Sequence, residues 1–140
     1  MKRINLSSDT PWEHLIGFSR LVEVNGLIYI SGTTAINSKG EVIGVGDPYL
    51  QTKRVIENIA NALESVGSNL RDVVRTRLFI TDMTRWESYI MAHREAFENL
   101  RPACTLIGVE RLIDSRLLVN MEAEAVRGID SVQEKKIGKY

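Results

Sequence analysis

Apolar and polar residues alternate with a period of two from Val73 to Ile80 and again from Leu117 to Val126. Between and before these stretches, apolar residues recur at three- and four-residue spacing, at Val55, Ile56, Ile59, Leu63 and Val66, and then at Trp86, Tyr89, Ile90, His93, Phe97 and Leu100. The first pattern predicts strands, and the second predicts helices with one buried stripe. Asp47-Pro48 supplies an N-cap and a first helical residue for the earlier helix, and Gly67 a left-handed end. Thr84 with Glu87 three residues on reads as a capping box opening the second helix. Arg101-Pro102 stops it, because a proline ring disfavours helix in the residue before it.

Val22–Val24 and Leu27–Ser31 flank Asn25-Gly26, whose residues tolerate positive φ, so this stretch reads as a β-hairpin. Ser38-Lys39-Gly40 marks a turn before a short strand at Glu41–Ile43, and Cys104–Val109 is a strand following the second helix. Arg3–Leu6 adds one more strand candidate. The order β-β-β-α-β-α-β-β predicts an α+β fold of two layers, with two helices on one face of a mixed sheet.

Strand parity sorts the side chains. Val74, Thr76, Leu78 and Ile80 share one face, with Val73, Arg75, Arg77 and Phe79 on the other. In the last strand Leu117, Val119, Met121, Ala123 and Ala125 form an apolar face, opposite Leu118, Asn120, Glu122, Glu124 and Val126. The second face is too apolar for ordinary solvent exposure and too charged for a dry core. A homo-oligomer interface containing a polar pocket accounts for both properties. The plainer alternative is a partly exposed sheet face carrying surface ion pairs.

The chain has 140 residues, 44% of them hydrophobic, which suits one folded domain over residues 1–127 followed by a polar tail over 128–140, including Asp130, Glu134, Lys135, Lys136 and Lys139. The tail is expected to be mobile or loosely packed. Basic and acidic residues both number 18, so no global field attracts nucleic acid or an anionic membrane. The single Cys104 fits a reducing compartment, and no apolar run reaches the length of a signal peptide or membrane span, so a soluble, cytoplasmic protein is expected. Two histidines and one cysteine lack the spacing of zinc or iron sites, and there is no P-loop, dinucleotide fingerprint or GxSxG elbow. No metal or organic cofactor is expected.

Four segments in order carry a family resemblance: Ile28-Tyr29-Ile30-Ser31-Gly32, Val73 to Asp82, Arg101-Pro102-Ala103-Cys104-Thr105, and Met121-Glu122-Ala123-Glu124-Ala125-Val126. Together, from about Phe18 to Val126, the chain resembles the Rid/YjgF reactive-intermediate deaminase family, also known as endoribonuclease L-PSP-like. The resemblance implies a chorismate-mutase-like fold and a homotrimer with small-molecule clefts between subunits. It also implies hydrolysis of enamine or imine intermediates to ammonia and a keto acid. In the deaminase branch an arginine follows Pro-Ala and grips the substrate carboxylate. Here that position is Cys104, which cannot provide a charged bidentate fork. Glu122 matches the family's last-strand glutamate, Ser31 and Gly32 its Ser-Gly, and Phe18 a cleft tyrosine. Leu106 is placed in the same substrate wall as Cys104.

Glu122 is the catalytic candidate, since a carboxylate in a cleft can orient water onto an iminium carbon. Its structural alternative is an ion pair with Arg75 or Arg77. Cys104 reads as a buried structural thiol rather than a nucleophile, and His93 as a packed, hydrogen-bonded residue rather than a base. His14 supports no assignment. Arg20, Arg75 and Arg77 are the cations that could replace the missing arginine. The expected function is a cofactor-independent hydrolase of enamine- or imine-like metabolites with altered substrate class. The alternative is a non-catalytic small-molecule-binding or regulatory trimer using the same cleft. Ribonuclease action finds little support in a neutral chain without an aromatic-basic surface.

Overall fold

A computed structural model describes residues 1–138. Six strands form one sheet: β1 (Arg3–Leu6), β2 (Leu21–Val24), β3 (Leu27–Thr33), β4 (Val73–Ile80), β5 (Ala103–Gly108) and β6 (Val119–Val126). Their spatial order is β1-β2-β3-β6-β4-β5. Only β4 and β5 run parallel, joined over the sheet by a helix, while the other neighbours are antiparallel. The fold is α+β, with two main helices, α2 (Pro48–Glu64) and α3 (Trp86–Phe97), and a short α1 (Pro11–Ile16) near the amino end. Lys139 and Tyr140, the last two residues of the polar tail, lie outside the described residues.

Local chemistry sets most of the elements. Asn25 and Gly26 adopt φ of 52° and 81° and close the β2–β3 hairpin, as their dipeptide predicts. Asp47 caps α2 by accepting a hydrogen bond from the Leu50 amide at 3.0 Å. The helix then buries Val55, Ile59 and Leu63 completely against the sheet. Each such side chain contributes about 1.5–3 kcal/mol through the water it leaves. Gln51, also fully buried, clamps the start of β6: its amide donates to the Arg116 carbonyl at 2.7 Å and accepts from the Leu118 amide at 2.8 Å.

Several expectations require correction. Glu41–Ile43 does not become a strand; only an isolated bridge joins Ile36 and Val42. The Thr84–Glu87 capping box does not form either. Asp82 takes the Thr84 amide at 3.1 Å and opens a one-turn 3-10 helix (Met83–Arg85), so α3 begins only at Trp86. That start leaves Trp86 47% exposed rather than on the buried stripe, while Tyr89, Ala92, His93 and Phe97 face inward. In β4 the register slips between Val73 and Arg75, so Val73 is buried beneath the helices and Val74 is 38% exposed, the reverse of strict alternation. From Arg75 onward the faces follow the expected parity. Gly128 and Ile129 donate their amides to Asp72 at 3.1 Å each, so the chain just after β6 is fastened to the domain rather than loose. Residues 131–138 are exposed and form no helix or strand.

The amino-terminal segment is tied by a capping box that the sequence reading did not identify. Glu13 is 3% exposed, yet it accepts from the Ser8 amide at 3.0 Å, the Thr10 amide at 3.3 Å, the Thr10 hydroxyl at 2.8 Å and the Ser8 hydroxyl. Burial pushes its carboxyl pKa up, but these donors outweigh burial and hold it at about 2, below the ordinary 4.5. A depressed carboxyl pKa stabilises the fold above the unfolded value and loses that stabilisation as the pH falls through the folded one. Glu13→Gln is therefore expected to lower stability at pH 7 by about 2–3 kcal/mol. In urea unfolding measured across pH, the gap between variant and wild type should close between about pH 4.5 and pH 2.

Candidate functional site

The side chains of interest emerge on the sheet face away from the helices. Val119, Met121, Ala123 and Ala125 of β6 are buried beneath them, so Asn120, Glu122 and Glu124 must project from the opposite face. Register sets Arg77 against Glu122, Arg75 against Glu124 and Phe79 against Asn120. Both guanidinium groups nevertheless converge on Glu124, Arg77 at 3.2 Å and Arg75 at 3.5 Å. Glu122 makes no ion pair or side-chain hydrogen bond among the described residues. The arginine clasp that could have explained Glu122 as a structural residue belongs to its neighbour two positions on.

Across the β3–β6 pair the register slips between Ile30 and Thr33, so that Ser31 and Gly32 bulge opposite Glu122. The Ser31 hydroxyl donates to the Ser19 carbonyl at 2.7 Å, and its amide to the Arg20 carbonyl at 3.1 Å. Ser31 therefore builds the wall that holds residues 18–20. Arg20 donates to the Gly32 carbonyl, and its guanidinium lies 5.8 Å from the centre of the Phe18 ring. Phe18, Ser31, Gly32 and Glu122 are thus tied to one region of the protomer.

Cys104 and Leu106 are placed differently. The parallel register pairs Cys104 with Thr76 and Leu106 with Leu78, both of which face the helices. Within one protomer these two residues therefore lie on the opposite side of the sheet from Glu122. Cys104 is exposed rather than buried as expected, because β5 is the edge strand and its first residues are uncovered, whereas Leu106 is partly buried against the core. Beside that edge, a cleft of about 310 Å³ is lined by Ile90, His93, Arg94, Phe97, Arg101 and Pro102, among others. His93 shares a 2.8 Å hydrogen bond with the Thr76 hydroxyl and packs on Phe97, and burial pushes its pKa down. It is the packed, bonded histidine its position predicts. A second cleft, of about 560 Å³, lies between the amino-terminal segment and α2. Glu122 lines neither cleft.

Asn120 was missed as a site residue. Its amide oxygen is buried without a partner, and the amide lies where a side chain at Gly32 would be, with Oδ1 2.5 Å from an added Cβ. Buried polar atoms normally find partners, so the unpartnered oxygen beside the Ser31–Gly32 bulge singles Asn120 out on the Glu122 face. The only signal in the sequence is its place two residues before Glu122 on the same strand face.

A family model described as Endoribonuclease L-PSP matches residues 11–127. The chain belongs to this family. An uncharacterized Streptomyces coelicolor protein is 39% identical over 128 residues, covering 90% of this chain and 94% of that relative. The 3-aminoacrylate deaminase RutC of Acinetobacter baylyi is 29% identical over 110 residues, covering 77% and 86%. Among solved structures, a Mycobacterium tuberculosis protein described as a member of the highly conserved YjgF/YER057c/UK114 family matches with a TM-score of 0.81 at 35% identity, over 89% of this chain and 99% of that one. The Rid/YjgF resemblance read from four short segments therefore holds along most of the chain.

For this L-PSP family protein, no helix of the described residues is long and apolar enough to cross a membrane. No group of three or more His, Cys, Asp or Glu side chains among those residues is placed to hold a metal ion. The contact between Gly32 and Asn120 gives a direct test. Gly32→Ala must push the Asn120 amide aside, but that amide is the end of a side chain whose oxygen has no partner, so the cost in chemical denaturation is expected to stay within about 1 kcal/mol. In an Asn120→Ala background the same substitution meets no obstacle, and the small difference between the two backgrounds measures the contact.

Proposed function

We propose that the protein is a cytoplasmic Rid-type hydrolase of small enamine- or imine-like metabolites, in which Glu122 orients and deprotonates water. The unpaired Glu122, beside a Glu124 that takes both arginines, carries this reading. Water adds to the iminium carbon as one of its protons passes to the Glu122 carboxylate. The resulting acid returns a proton to the amine nitrogen of the carbinolamine. The C–N bond then breaks, the hydroxyl gives its proton to the regenerated Glu122 carboxylate as it becomes a carbonyl, and ammonia takes up that proton and leaves as ammonium. Asn120 and the Gly32 backbone lie where they can position the substrate. The Acinetobacter relative, named as a deaminase of 3-aminoacrylate, supports the reaction class.

The working assembly is a homotrimer. Tyr29 and Leu27 are about half exposed on the Glu122 face, and Phe79 and Val126 on that face are only partly covered in one protomer. A neighbour seated there would shelter Glu122 and turn an open face into a cleft. In this reading, Cys104 and Leu106 line the substrate wall presented by the adjacent subunit. A thiol in place of the family's arginine shifts the substrate away from amino-acid-derived imines toward ones without a carboxylate at that end.

The absence of an arginine at position 104 favours a second reading, a non-catalytic binding trimer that uses the same cleft. An imine-hydrolysis assay separates the two. Wild type should turn over, and Glu122→Gln should lose at least about 100-fold in kcat/KM. Sedimentation should give both proteins a mass three times that of the 15.8 kDa chain. Ligand binding without turnover in wild type establishes the binding module, and a monomer at micromolar concentration removes the shared cleft.

A further inference from the structure

The cleft of about 560 Å³ lies between residues 6–11, the loop of residues 34–40 and the flank of α2. Its wall holds three cationic side chains, Arg20, Lys39 and Arg54, against one carboxylate, Asp9. Asp9 is highly exposed and stands 3.8 Å from His14.

Most neutral groups of this wall are already engaged in building it. Asn58 donates to the Thr34 and Ile36 carbonyls at 3.0 and 2.9 Å, pinning the loop to α2. Asn37 accepts from the Lys39 and Glu41 amides, and Ser8 and Thr10 donate to Glu13. The arginines are not satisfied in this way. Arg20 donates through one terminal nitrogen to the Gly32 carbonyl, makes no ion pair among the described residues, and keeps a buried Nε that meets no acceptor. Arg54 reaches Glu57 only at 3.8 Å and likewise keeps a buried Nε without an acceptor. Burial pushes the Arg20 pKa down and Glu13 offsets this only from a distance, since its oxygens are occupied by Ser8 and Thr10.

Two guanidinium groups short of acceptors on one polar cleft make a site lacking its counter-charge. Their terminal nitrogens, engaged by nothing beyond the Gly32 carbonyl and the distant Glu57, are the donors that carboxylate and phosphate oxygens accept from. The volume suits a small metabolite. We propose that this cleft is an oxyanion site that takes a small carboxylate- or phosphate-bearing molecule between Arg20 and Arg54, with Lys39 at its mouth. The site is separate from the Glu122 chemistry and does not rest on it. Arg75 and Arg77, the other cations considered for anion binding, are held by Glu124.

Titration calorimetry of the full chain at fixed ionic strength, with inorganic phosphate in one arm and malonate in the other, tests the proposal. Saturable binding of either anion is expected, and the arm that saturates tells phosphate from carboxylate recognition. Arg54→Gln should weaken it at least about tenfold, the loss expected for a charge-assisted contact. Lys53→Gln, an exposed neighbour on the same helix that does not line the cleft, should bind as wild type does. Glu122→Gln should also bind normally. Absence of saturable binding in both arms, unchanged affinity in Arg54→Gln, or an equal loss in Lys53→Gln would overturn the site. Arg20→Lys, which keeps a charge but loses the fork, should weaken binding while melting close to wild type.

Discussion

The two-residue period of β6, held between β3 and β4, is the constraint on which this protein's architecture turns. Val119, Met121, Ala123 and Ala125 fill the seam beneath the helices and are almost wholly removed from water. Because that side is dry, Asn120, Glu122 and Glu124 have only one place to go. Sliding β6 by one residue would bury two carboxylates and an amide in the core and turn four apolar side chains to the open face. The core thus fixes where the chemistry is displayed, and Gln51, gripping both sides of Leu117, fixes where the strand starts.

On the open face, geometry rather than composition distinguishes the two glutamates. Register alone would couple Arg77 to Glu122, its direct cross-strand neighbour. Instead Arg77 reaches diagonally to Glu124 and joins Arg75 there. One acid is thereby committed to the sheet, and the other keeps no charged partner among the described residues. The bulge at Ser31–Gly32 brings backbone without a side chain up to Asn120, whose amide fills the space a Cβ would take. Arg20 bonds the Gly32 carbonyl from the wall of the neighbouring cleft, linking the two places through one peptide.

Much of this was legible in the sequence wherever a local pattern decides the outcome. Asn25-Gly26, Asp47-Pro48 and the alternation of β6 each carry their own geometry, and the helices sit where their apolar spacing places them. Local patterns failed where two segments compete or where distant pairing decides. The Ser/Thr-x-x-Glu spacing occurs at Thr10–Glu13 and at Thr84–Glu87, but Asp82 captures the Thr84 amide, and only the first forms a box. Val73 and Val74 are both apolar, so nothing in their identity reveals the slip that exchanges their faces. The side on which Cys104 lies is set by the parallel register with β4, a long-range property that its neighbours in sequence do not encode. Asn120 drew no attention because its significance is an unmet hydrogen bond, visible only once the surrounding atoms are in place.

The Arg75, Arg77, Glu122 and Glu124 quartet has a property that none of its members shows alone: two positive and two negative groups cancel. In the proposed trimer, a face so balanced would meet its neighbours with no net Coulombic opposition, and dissolved salt would have little hold over the contact. The balance also depends on the acid that remains unclasped. Under the proposed mechanism, a proton taken up there would leave each protomer one surplus positive charge on this face.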